Sequence, residues 1–400
     1  MNISKRLAAV PPSPMRKLAP LAKQAKDRGV KVLHLNIGDP DIKTPEPMLN
    51  VLRSWKINPI GYDNSQGNPE FVNALVGYYR SLGFNYVCPE HIQVTTGGSE
   101  AISMAMFAVA EPGEEIIVFE PYYANYNSYA VVNGVKLVAV PTGIENGFHL
   151  PSQKLIEAKI SKNTKAILIC NPNNPTGTVY TRREMDLLVQ LARKHQLYLL
   201  SDEVYRDYVY DHAKHVSILE YMANDPKQLI LLDSMSKRYS LCGIRLGCLV
   251  SLNPELLDGV IRIAMGRLSC GLVDQMVAAK LSKVSRSYLE QVNHEYDVRR
   301  QILYHGLKNI PGVTIPKPEG AFYVIAGLPV DNAEKFASWL LTDFSVQGET
   351  VMITPASGFY SNFSLGTKEV RIAYVLNPRA IKRAVRIIAL ALKSYPGRID

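Results

Sequence analysis

The chain has 400 residues, of which 47% are hydrophobic and 20% charged, an ordinary globular composition that is too long for one hydrophobic core. Its formal net charge is +9, but the lysines and arginines are scattered without a long basic run, so no nucleic-acid partner is expected. Five cysteines, at 88, 170, 242, 248 and 270, form no Cys-x-x-Cys pair, and no run approaches the roughly 18 apolar residues of a membrane span, which argues against a disulfide framework, a zinc or other metal site, and a membrane partner.

In chain order, the amino-terminal residues carry no convincing secretion signal, and a cytoplasmic location is expected. Helical spacing over 15–28 ends at Gly29, and the alternation over 32–37 predicts a strand. From residue 90 onward, short apolar runs alternate with helical stretches. Strands are predicted over 92–95, 115–120, 136–140, 166–170, 198–201, 229–232 and 246–251, with helices over 99–110, 121–132 and 182–195. This alternation is that of an α/β sheet covered on both faces. Beyond residue 252 the pattern changes. A largely helical stretch over 271–307 ends near Pro311-Gly312, followed by strands over 321–326, 350–353 and 369–374 and helices over 331–343 and 378–394, a smaller α+β unit.

Ligands of such sheets collect at the carboxyl ends of the strands. Gly97 and Gly98 follow one predicted strand, Tyr123 another, Asn174 another, Asp202 another and Lys237 another. A lysine amine condenses with an aldehyde, and pyridoxal 5'-phosphate (PLP) is the aldehyde cofactor most often held this way. Ser234, Ser236 and Arg245 flank Lys237 with donors suited to a phosphate. Asp202 is the kind of partner that a protonated pyridine nitrogen requires. His34, His195, His294 and His305 fall in strand or helix patterns and are expected to pack or to face solvent.

Asn-Pro-Asn-Asn-Pro-Thr-Gly at 171–177, Asp202, Tyr205, Lys237, Arg245 and Arg371 in Val-Arg-Ile-Ala-Tyr occur in one order and spacing. In these the chain resembles the fold-type I, PLP-dependent class I/II aminotransferases, from Asn-Ile-Gly-Asp-Pro-Asp at 36–41 through the last helix, and most of all their bacterial and archaeal aspartate-type branch. The resemblance implies a large PLP-binding domain, 46–285, with a mostly parallel seven-stranded sheet between helices. A small α+β domain would comprise 1–45 and 286–400. It also implies a homodimer with shared active sites.

The resemblance further implies catalytic roles for Lys237, Asp202 and Tyr205, with Lys237 forming the Schiff base and then carrying the substrate proton. Tyr205 and Asn174 would address the ring's phenolic oxygen. Arg245, Ser234, Ser236 and the backbone at Gly97, Gly98 and Ser99 would hold the phosphate, joined by Tyr62 from the neighbouring subunit. Tyr123 would stack on the ring, where many relatives have tryptophan, while Tyr122 and Tyr126 are expected to be packing residues. Arg371 would bind the substrate α-carboxylate, with Gly38 approaching through its backbone and Asn174 alongside. The implied reaction moves an amino group from an L-amino acid, aspartate as the best guess, to a 2-oxo acid such as 2-oxoglutarate. Aspartate requires a second cation, for which Arg267, Arg16 and Lys43 are unranked candidates. Ser99 replaces the lysine of some aspartate-specific relatives, so aromatic, alanine-like or other apolar substrates, or carbon–sulfur lyase chemistry, remain open.

Overall fold

Continuous apolar runs form strands buried on both faces. In the computed structural model, which describes residues 3–399, the strands are β1 (Lys31–His34), β2 (Ile92–Thr95), β3 (Glu115–Glu120), β4 (Lys136–Pro141), β5 (Thr164–Cys170), β6 (Tyr198–Asp202), β7 (Leu229–Ser234), β8 (Gly247–Ser251), β9 (Tyr323–Gly327), β10 (Glu349–Met352), β11 (Thr354–Pro355) and β12 (Glu369–Ala373). Seven make one sheet in the order β2-β8-β7-β6-β5-β3-β4. Its neighbours are parallel except at β8, which runs against both β2 and β7. The carboxyl ends of β2, β3, β5, β6 and β7 therefore share one edge with the start of β8. That reversal brings Arg245, two residues before β8, to the edge occupied by Ser234.

Helices Pro69–Ser81 and Arg182–His195 contribute to the core on one face of this sheet, and Gly97–Val109 and Pro254–Arg267 to the core on the other. A three-stranded antiparallel sheet, β11-β12-β9, and the parallel pair β1-β10 lie apart from it. These share a core with helices Ala19–Asp27, Arg286–Lys308, Ala333–Thr342 and Pro378–Ser394.

Several boundaries differ from the sequence reading, each for a local reason. The strand expected over 32–37 stops at His34 because the Asn36 carbonyl is committed to Arg371 and to the Thr354 hydroxyl. The helix expected from 15 starts at Ala19, with Pro20 in its first turn, and residues 14–18 form turns instead. The helix expected from 121 starts at Asn125, since the Tyr122 amide is bonded to the Phe359 carbonyl. The stretch over 271–307 is two helices, Leu272–Ala278 and Arg286–Lys308, joined by a 3₁₀ turn. The turn buries Ala279 and Leu281 against the large-sheet core, and Val284 then adopts an extended conformation.

The loop after β7 is anchored by buried charge. The Arg238 guanidinium, fully buried, donates to both Asp233 oxygens at 2.9 and 3.0 Å and to Asp207 at 2.7 Å. It lies 4.4 Å from the Tyr78 ring centre, and Asp233 also accepts from the Tyr79 hydroxyl at 2.9 Å. Removing one member of such a set leaves its partner charged and dry. Asp233→Ala is expected to destabilise the fold by about 3–5 kcal/mol, whereas Arg193→Ala, which breaks an ion pair with a well-exposed arginine, should cost about 1 kcal/mol or less. Denaturant unfolding of the two variants beside the wild type checks the contrast, and equal losses would refute it.

Candidate active site

Around the shared strand edge lies a cavity of about 410 Å³. Every residue expected to hold the cofactor or the α-carboxylate lines it except Gly97, which adjoins it, and Tyr62. Lys237 stands three residues past β7. Its carbonyl accepts from the Tyr208 hydroxyl at 2.7 Å, and its Nζ donates to the Gly38 carbonyl at 2.8 Å and lies 3.6 Å from Cys242 Sγ. Neither Nζ contact is a carboxylate, which leaves the amine without an ion pair to break before covalent chemistry.

Asp202 closes β6 beside Cys170 in the strand register. Its carboxylate accepts from the Tyr126 hydroxyl at 2.7 Å and faces no cation. Burial pushes its pKa up to about 6. A dry carboxylate of this kind suits a partner that brings its own proton.

Tyr205 is buried, with its hydroxyl 3.2 Å from that of Tyr323. Asn174 belongs to a loop pinned from inside: Asn171 Oδ1 accepts the Tyr180 amide at 3.0 Å, and the Gly177 carbonyl accepts the amides of both Glu319 and Gly320 at 2.8 Å. Gly177 has φ +76°, and a Cβ there would sit 2.5 Å from the Tyr323 carbonyl, so only glycine permits this approach.

Arg371, on β12, is 2% exposed. It donates to the Asn36 carbonyl at 2.6 Å and to Asn174 Oδ1 at 3.1 Å, and its guanidinium lies 4.6 and 4.9 Å from the Tyr323 and Phe359 ring centres. Its Nε is buried without a partner, and burial lowers its pKa. A cation is thus held in the cavity wall by neutral groups alone, a demand for an anion from outside the chain.

The opposite end is an array of donors. Gly97 has φ +78°, and a Cβ on it would fall 2.7 Å from Arg245 Nη2, so the missing side chain makes room for the guanidinium. Gly97–Val109 begins without a side-chain cap from Thr96, leaving its first amides available. The buried Ser234 and Ser236 hydroxyls are 2.9 Å apart. The donor set of these groups fits a phosphate, and with the Lys237 amine and the buried Asp202 carboxylate its chemistry fits that of PLP.

Tyr123 lines the cavity and accepts from Asn125 at 2.8 Å. Tyr122 and Tyr126 do pack, their rings stacked at 6.5 Å, but the Tyr126 bond to Asp202 is a polar role that the sequence reading missed. Tyr323 was also missed, since Phe-Tyr at the start of a strand reads as core. Tyr62 is 85% exposed and outside this cavity. Of the three candidate side-chain cations, Arg16 lines the cavity, whereas Arg267 is engaged by Glu100 at 3.1 Å and Lys43 is not in the lining. The four histidines read as non-catalytic are likewise absent from the lining.

A family model described as "Aminotransferase class I and II" matches residues 30–388. An aspartate aminotransferase of Pyrococcus horikoshii is 31% identical over 397 residues, covering 98% of this chain and 97% of that protein. Aromatic-amino-acid aminotransferase 2 of Thermococcus litoralis is 30% identical over 400 residues, covering 98% and 99%. Among solved structures, the aspartate aminotransferase of Thermus thermophilus with maleate superposes with a TM-score of 0.88 at 27% identity, over 98% of this chain and 100% of that one.

The raised Asp202 pKa has a sign that can be tested. Folded protein retains this proton up to about pH 6, whereas the ordinary value is 3.8. Its stabilising contribution is therefore complete below the lower value and is lost as pH rises through the upper one. In ligand-free protein, Asp202→Asn should gain melting temperature relative to wild type as pH rises from about 4 to 7. A difference that stays flat across that range would contradict the assignment.

Proposed function

The chain belongs to the class I and II aminotransferases, and from this we propose that it moves the amino group of an L-amino acid, aspartate above others, to a 2-oxo acid such as 2-oxoglutarate, with PLP held at Lys237. The observation that carries the reading is Arg371, a buried guanidinium satisfied only by neutral oxygens, with a free Nε. Its planar fork matches the carboxylate that every amino-acid substrate presents.

When bound, PLP supplies an electron sink for negative charge developing at the substrate α-carbon. Lys237 Nζ is the amine that would anchor it and the base that would take the substrate α-proton. Asp202 holds the proton of the ring nitrogen through charge complementarity in a dry setting. Asn174 spends its carbonyl oxygen on Arg371 and has its amide left to donate to the ring oxygen beside Tyr205. Tyr123 covers a ring face. Ser234, Ser236, Arg245 and the amides at 97–99 hold the phosphate, and the exposed Tyr62 completes that cup in a second subunit of a homodimer. The proposed division into 46–285 and 1–45 plus 286–400 is supported by the β1–β10 pairing, which joins the two ends of the chain.

For the substrate side chain, Arg16 is the cavity-lining cation other than Lys237, Arg245 and Arg371. It favours a second carboxylate. Ile37, Ile102 and Met15 in the same lining favour a second reading, an apolar or aromatic amino acid.

Absorption spectra of PLP-loaded protein, recorded as single amino acids are added without an acceptor, separate these readings. Aspartate should convert a visible band to a near-ultraviolet one; conversion by phenylalanine or alanine instead favours the apolar reading, and persistence of the band with release of ammonia favours lyase chemistry. Lys237→Ala should lower the half-reaction rate by at least about 10³-fold, and retained turnover would overturn the assignment. Arg371→Ala should reduce kcat/KM about 10²- to 10³-fold for every amino acid. Arg16→Ala should reduce kcat/KM about tenfold or more for aspartate alone; an equal fall for alanine would remove Arg16 from side-chain recognition.

A further inference from the structure

Tyr323 makes contacts that a packing residue does not need. It opens β9, is 3% exposed, and lines the cavity together with Tyr205. The two hydroxyls are 3.2 Å apart, and the rings meet edge to face at 5.6 Å and 86°. Phe322 meets the Tyr205 ring at 5.3 Å and 89°, so that ring is gripped from two sides and its hydroxyl is the remaining freedom. Space for the Tyr323 hydroxyl exists because residue 38 is glycine: a Cβ there would lie 1.7 Å from Tyr323 Oη.

A pair of phenols in contact shares one hydrogen bond, with one donor and one acceptor. The Arg371 guanidinium lies 4.6 Å from the Tyr323 ring centre, and Tyr323 is the phenol of the pair whose ring it faces. Tyr123 and Cys170 lie near Tyr205, Tyr296 and Tyr374 lie near Tyr323, and Lys237 Nζ is 5.9 Å from the neighbouring Phe322 ring centre. If Tyr323 donates to Tyr205, the single Tyr205 proton is turned outward toward the cavity.

We propose that Tyr323 is a positioning residue for the reaction, its phenol orienting and polarising the Tyr205 hydroxyl so that Tyr205 donates to the ring oxygen of PLP. The inference rests on the reading of Lys237 and Tyr205 given above. A chain of donors strengthens each bond in it. The strengthened bond stabilises negative charge on the ring oxygen, which in turn weakens the hold of the Lys237–cofactor nitrogen on its proton. Losing the Tyr323 hydroxyl should raise the pH at which that nitrogen titrates.

The test is a pH titration of the visible absorbance of PLP-loaded resting enzyme for wild type, Tyr323→Phe, Tyr205→Phe and the double variant, with melting temperatures alongside. Tyr323→Phe should raise the midpoint by about 0.3–0.5 pH unit and should add no shift in the Tyr205→Phe background. An unchanged midpoint in Tyr323→Phe, or the same shift in both backgrounds, overturns the proposal while leaving Lys237 in place. Wild-type protein that takes up PLP without a titrating visible band overturns the Lys237 reading itself, and this inference with it. A purely structural tyrosine would change melting temperature without moving the midpoint.

Discussion

A positive charge buried without a negative one governs this architecture. Stripping water from a guanidinium costs several kcal/mol unless its donors and its charge are met. Around Arg371 the chain offers the Asn36 carbonyl, the Asn174 amide oxygen and two aromatic faces, but no carboxylate. Much local structure follows. β1 ends early so that Asn36 can present its carbonyl, and the 171–177 loop is pinned through Gly177 so that Asn174 stays in reach. The arrangement is stabilised fully only when an anion arrives, which converts the cost of burial into affinity for a carboxylate.

Asp202 is the opposite case, a buried carboxylate with no cation. Nearby charge is handled in another way. Residues 202–208 divide their work: Asp202, Val204 and Tyr205 line the cavity, while Glu203, Arg206, Asp207 and Tyr208 point into networks where each carboxylate meets a cation. Glu203 is bonded by Arg206, Ser217 and the Ile218 amide, and Asp207 by Arg238. Two of these contacts hold the lysine loop: Tyr208 takes the Lys237 carbonyl, and Asp207 takes the side chain next to it. A seven-residue segment thereby carries groups for the chemistry and groups that keep Lys237 in place. Networks with every carboxylate paired supply the rigidity that the two unpaired charges withhold.

The sheet was legible because its strands are buried on both faces, and runs such as Leu229–Leu232 have no competing period. The cavity residues Gly98, Tyr123, Asn174, Asp202 and Lys237 were legible because each closes or follows a strand. What escaped was set by contacts between distant segments. Ending β1 at His34 requires knowledge of Arg371, over 300 residues away, and the break at Val284 depends on packing against the helix Pro69–Ser81. Tyr126 and Tyr323 read as core by type and position, and they are buried. Only the partner of each hydroxyl, Asp202 or Tyr205, distinguishes them from packing tyrosines. The lone signal for Tyr323 was Gly38, and a glycine in a turn has many explanations.

Arg16 sits differently from the charged groups proposed for the α-carbon, the ring nitrogen and the α-carboxylate. Lys237, Asp202 and Arg371 project from strand ends or strands, where packing and register fix them to within a narrow range. Arg16 stands on the turns before Ala19–Asp27, exposed, on a segment that reaches the cavity together with Ser13 and Met15. Groups that must meet the invariant part of an amino acid, its α-carbon and α-carboxylate, thus occupy the rigid framework. In the proposed reading, Arg16, for the variable part, occupies a surface segment that can change without disturbing that framework. Relatives of similar identity, spanning nearly the whole chain, carry the names of both aspartate and aromatic-amino-acid enzymes. On that reading, selectivity changes in the turns while Arg371 and the strand ends stay as they are.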